Sequence, residues 1–64
     1  MNVKYAVILN GTNFPYYLKW DPSYLPNIGW TPIKASAYLY FTEEEAKEDI
    51  ESMGLDAYVK EIEI

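Results

Sequence analysis

Apolar residues alternate from the start of the chain. Val3, Tyr5, Val7 and Leu9 share one parity and Ala6 and Ile8 the other, so Val3 to Leu9 reads as a strand covered on both faces. That is the pattern of a central strand. Asn10-Gly11 follows directly, and both residues tolerate the positive φ of a type I′ turn, which predicts a two-residue hairpin. In that register Leu9 faces Thr12, and Pro15 falls opposite Ala6 on a returning strand from about Thr12 to Trp20. Proline gives no N–H to a ladder, so this second strand is expected at an edge, or bulged near Phe14-Pro15. A longer loop ending at Pro15 is the alternative.

Asp21 to Lys34 breaks the alternation with Pro22, Pro26, Gly29 and Pro32. Asp21-Pro22 suits the cap and first position of a single helical turn. The segment also carries Tyr24, Leu25, Ile28 and Trp30, so it is expected to fold back on the body. Alternation resumes from Ala35 to Phe41, a third strand with Ala37, Leu39 and Phe41 on one face and Ser36, Tyr38 and Tyr40 on the other.

Thr42-Glu43-Glu44-Glu45 is a capping box, with Phe41 and Ala46 at the hydrophobic-staple positions. Three glutamates in the first turn also suit the positive end of the helix dipole. Ala46, Ile50 and Met53 then recur at i, i+4 and i+7 as a narrow buried stripe. Gly54 is a natural stop, with Leu55 placed to fold back on the last turn. Tyr58 to Ile64 is a final strand whose Tyr58, Lys60, Ile62 and Ile64 share a face.

The predicted fold is a single α+β domain over residues 1–64. Its order is strand-strand-strand-helix-strand, a small four-stranded mixed sheet with one helix packed on one face. The connection through Thr42 to Ala57 is long enough for a crossover, so the third and fourth strands are expected to run parallel with a right-handed connection.

Composition narrows the function. A chain of 64 residues buries only about 60% of its unfolded surface. An aromatic content of 17% is nevertheless too high for a disordered segment. There is no cysteine and no histidine, which removes disulfides, thiolate metal sites and the commonest general base. Ser23, Ser36 and Ser52 have no histidine to activate them, and the three glycines form no phosphate-cradling loop. The reading is a non-enzymatic protein with no cofactor and no metal. No apolar run approaches the ~20 residues of a membrane span, and no secretion-type leader is visible, so the expected setting is cytoplasmic. Asn10-Gly11-Thr12 matches a glycosylation acceptor but is better explained as a turn.

Charge divides the chain. Asp21 is the only acid from Met1 to Thr42, whereas nine acids lie from Glu43 to Ile64, and the net charge is −5. That balance argues against direct nucleic-acid binding. The helix acids Glu43, Glu44, Glu45, Glu48, Asp49 and Glu51 are either a solvated face, with Lys47 pairing to Glu43 and Glu51, or an anionic surface for a basic groove on a larger protein. In the second case they approximate the phosphates of a nucleic acid, and Glu44, Glu48 and Glu51, opposite Ile50, are the candidate contacts. The second candidate surface is aromatic: Trp20, Trp30, Tyr38 and Tyr40. One narrow helix covers one sheet face, so part of this set is expected on the uncovered face or its rim. There it would meet a partner protein, or a second copy in a self-associating assembly subunit.

The run Phe41-Thr42-Glu43-Glu44-Glu45-Ala46, then Ile50, Gly54 and Val59-Lys60-Glu61-Ile62, resembles the strand-helix-strand end of small acidic bacteriophage and prophage accessory proteins. The resemblance covers about the last 25 residues and carries over no site residue. It implies an inhibitor or modulator that binds a larger, basic host protein and acts by occlusion or charge mimicry.

Overall fold

Dense apolar residues on both faces make Val3–Leu9 the spine of the sheet. In the computed structural model, which describes residues 2–20 and 28–63, this is β1, and Ala6, Val7 and Ile8 are fully buried in it. β2 (Tyr17–Trp20), β3 (Ile28–Thr31) and β4 (Ala57–Glu63) complete one four-stranded sheet in the order β3-β2-β1-β4. One helix, α1 (Glu43–Met53), packs on one face, so the fold is α+β with the expected element order. The helical turn expected at Asp21-Pro22 lies outside the described residues.

Strand parity sorts the core into two layers. Val7 and Leu18 lie under α1 with Tyr40 and Ala46, joined by Tyr5, Ile50, Met53 and Val59. Ala6, Ile8, Tyr17 and Ile62 form the second layer on the opposite face, packed by Ala37 and Leu39. The stripe Ala46, Ile50 and Met53 therefore meets the sheet as its periodicity predicts.

Three expectations change. All three strand pairings are antiparallel, with no parallel pairing of the third and fourth strands: β4 returns beside β1 in the register Val7↔Val59. The sheet is thus antiparallel where a mixed one was expected, because α1 returns the chain to the β1 edge and not to β3. The first hairpin uses the longer loop ending at Pro15. Ile8 pairs with Tyr17, and the Leu9 N–H donates to the Tyr16 carbonyl at 2.9 Å. Pro15 so falls before β2, which is free to occupy an interior place between β1 and β3. Asn10 serves a different purpose from a type I′ turn. Its N–H and side-chain amide reach the Asp56 carbonyl and carboxylate at 3.0 and 3.1 Å, clamping the end of β1 to the turn before β4.

The third strand is also displaced. β3 forms at Ile28–Thr31, and Pro32 ends it; the Ile33 N–H donates to Thr31 Oγ1 at 3.1 Å, turning the chain away. Lys34–Ser36 is one 3-10 turn. Residues 38–40 then enter as a wedge where β1 and β2 diverge. The Tyr38 N–H donates to the Leu18 carbonyl at 2.8 Å, and Tyr40 exchanges both backbone hydrogen bonds with Tyr5 at 2.7 and 2.9 Å. The predicted alternation survives in this wedge, since Leu39 packs in one layer and Tyr40 in the other.

The helix ends match the sequence. Thr42 Oγ1 accepts the Glu45 N–H at 3.2 Å and donates to Glu45 Oε1 at 3.1 Å, so the Glu45 carboxylate takes the hydroxyl. Gly54 is left-handed at φ 64°, and the Leu55 N–H donates to the Ile50 carbonyl at 3.0 Å. The staple fails on one side. Ala46 is buried against Tyr40, whereas Phe41 is 73% exposed with the Lys4 ammonium 3.4 Å from its ring centre.

Candidate functional site

The wedge sets the aromatic geometry. Parity places Leu18, Trp20, Tyr38 and Tyr40 on the helix side of the sheet. Tyr38 stands edge-on to Tyr40, with centroids 4.8 Å apart, and 6.3 Å from Trp20 at an interplanar angle of 74°. Together with the C-terminal half of α1 these residues border a groove of about 170 Å³. Its floor is apolar, made by Leu18, Ile28 and Met53, and Asp49 enters from the helix. The Tyr40 hydroxyl donates to Asp49 Oδ2 at 2.7 Å. Burial, then that hydrogen bond and the carboxylate's charge, raise the Tyr40 phenol well above its ordinary range. Tyr40 is therefore a fixed donor.

The candidate residues separate into two places. Trp20, 61% exposed, and Tyr38, 39% exposed, line the groove. Tyr40 is only 6% exposed and belongs to the core under α1, so its expected place on an uncovered sheet face is corrected. That face is not open as expected, because the connection through Ala37 and Leu39 packs against it. Trp30 is half-buried, directly across from Leu18, and packs against the helix-side core. Glu44, Glu48 and Glu51 are all exposed on α1, away from the groove floor. Of the two pairs expected for Lys47, the one to Glu43 forms at 3.3 Å and, among the described residues, none forms to Glu51; both side chains of the pair are more than half exposed, so it contributes little.

Asp49 is the residue that the sequence hid among its acidic neighbours. It lies three positions after Ala46 and four before Met53, on the border of the apolar stripe. An acid at that border was the available signal. Met53 read only as part of the buried helix stripe, and Ile28 as part of the apolar load of the segment folding back on the body.

The acidic surface extends beyond the helix. α1 carries six acids against Lys47, and strand alternation puts Glu61 and Glu63 on the Val59 side of β4, the side that α1 covers. Lys4 and Lys60 share parity with Ala6 and Ile62 and fall on the opposite side. Among the described residues no three acids are grouped to hold a metal ion, and no helix is long and apolar enough to cross a membrane.

The chain has no significant match to any protein family, curated sequence or solved structure.

Proposed function

We propose that this chain is a small acidic, non-enzymatic binding domain that docks its helix layer onto a basic surface of a larger protein and acts by occluding it. The observation that carries this reading is the sorting of charge by layer. Exposed acids cover α1 and its flank on β4, while Lys4 and Lys60 lie behind the sheet. Such a field steers a basic partner toward that side of the domain. In a phage-type protein the partner would be a host factor in the cytoplasm.

Capture from a bacterial lysate on immobilised protein tests the reading, with the parent compared against Glu44→Lys/Glu48→Lys/Glu51→Lys. Each reversal adds two charges, so the variant moves the net charge from −5 to +1. A basic protein held by the parent, lost by the variant and released by salt supports the proposal. Equal capture by both contradicts it.

A further inference from the structure

We propose that the outer edge of β4 takes an extended basic segment of the partner protein as a fifth, antiparallel strand with the pattern basic-x-basic-x-apolar. The proposal rests on the binding function above and names the kind of partner segment that would give it specificity.

The backbone hydrogen bonds of β1 show which groups of β4 are left over. Tyr5 exchanges both of its bonds with Tyr40, and the Leu9 N–H goes to Tyr16, so the odd positions of β1 face β2 and the wedge. The even positions face β4: the Asn10 N–H goes to Asp56, and Lys4, Ala6 and Ile8 stand opposite Ile62, Lys60 and Tyr58. Val59 and Glu61 therefore turn their N–H and C=O away from β1, toward the free side of the sheet. At seven residues β4 is a full-length edge, whereas β3 at the other edge has four and ends at Pro32. A row of outward backbone groups of this kind is a template for strand addition.

Side chains decide which strand fits. Val59, Glu61 and Glu63 share the helix side of β4. A groove of about 360 Å³ lies between α1 and the start of β4, lined by Ile50 and Glu51 on the helix and by Ala57, Tyr58 and Val59 on the strand. Residues from both faces of β4 line it, so it opens along the outer edge of the strand. An apolar side chain opposite Val59 fills this groove against Ile50. Basic side chains two and four residues earlier meet Glu61 and Glu63, both of which are exposed. Lys47 borders the groove at its Val59 end and is bonded to Glu43. Lys60 shares the opposite face with Tyr58, where neutral residues of the added strand fall. A second copy is the poorer occupant, since it brings its own Glu61 and Glu63 to an edge that already carries them.

NMR titration of the intact chain with three synthetic peptides tests this. The first is acetyl-Thr-Lys-Thr-Arg-Thr-Val-Thr-amide with N-methyl groups on its two inner threonines, whose amides would face away from β4. The second carries them on arginine and valine, whose amides would face it, so charge and composition are identical. The third has glutamate in place of lysine and arginine, methylated like the first. The first peptide is expected to slow amide hydrogen exchange of Val59 and Glu61 at least about tenfold, and to change Lys60 and Ile62, already bonded to β1, little. The second and third are expected to bind at least about tenfold more weakly. In Glu61→Lys/Glu63→Lys the preference should pass to the glutamate peptide. Equal binding of the two methylation isomers, no added protection at Val59 and Glu61, or an unaltered preference in the variant would overturn the proposal. If the titration fails while capture of a partner still depends on Glu44, Glu48 and Glu51, strand addition falls and the binding function stands. If the titration succeeds and capture does not depend on those three acids, the reverse holds.

Discussion

The Tyr40 hydroxyl and the Asp49 carboxylate, 2.7 Å apart, join the wedge between β1 and β2 to the middle of α1. Two segments that local patterning leaves unrelated are fixed to each other by this bond. It also places the only half-buried acid of the helix beside the groove.

Tyr40→Phe is expected to cost about 1–2 kcal/mol at neutral pH, because Asp49 loses its donor while partly desolvated. The pH dependence has a definite sign. The folded-state phenol lies above the unfolded value near 10, so its stabilising contribution is complete below about pH 10. Above that pH the unfolded chain releases the proton first, and stability falls as pH rises toward the folded value. Urea midpoints from pH 7 to 11 should therefore decline more steeply above pH 10 in the parent than in Tyr40→Phe. Parallel curves would contradict the assignment.

Both ends of α1 can be probed without touching the groove. Thr42→Ala should lower stability by about 1 kcal/mol through loss of the N-cap. Gly54→Ala should cost about 1–2 kcal/mol, since φ is 64° there and the cost is backbone strain, with no atom within 4 Å of a new Cβ. Unchanged urea midpoints in both variants would place the helix ends elsewhere.

Local signals made β1, α1 and β4 legible, because each carries its own period, cap or stop. β3 was hidden because it is four residues long and lies next to Pro32 and around Gly29, residues that normally break strands. The wedge at 38–40 was read correctly by face but not by partner, since a two-residue alternation does not reveal that β1 and β2 diverge to admit it. The acidic face was visible as composition. The groove was not, because it depends on Trp20, Tyr38 and Asp49 meeting across three elements.

The different burial of Tyr38 and Tyr40 gives a direct contrast. Tyr38→Glu should leave a folded protein, because the ring is 39% exposed. Tyr40→Glu should unfold most of it, by placing a carboxylate in the core beside Asp49. Circular dichroism and amide dispersion distinguish the two, and equal tolerance would contradict the position of the wedge.

Neither sheet edge invites a second copy. β4 presents Lys60, Glu61 and Glu63, and β3 has four residues and ends at Pro32. Sedimentation equilibrium should give the monomer mass over the micromolar range, and a concentration-dependent rise in mass would favour the self-associating assembly subunit instead.

The salt dependence of the captured partner's affinity bears most directly on the acidic helix layer as the docking surface. Between about 50 and 500 mM salt the screening length shortens roughly threefold. The parent's affinity should fall steeply over that range, and Glu44→Lys/Glu48→Lys/Glu51→Lys should bind weakly with a flattened dependence while keeping its fold. Affinity that stays constant across the salt range, with parent and variant alike, would contradict it.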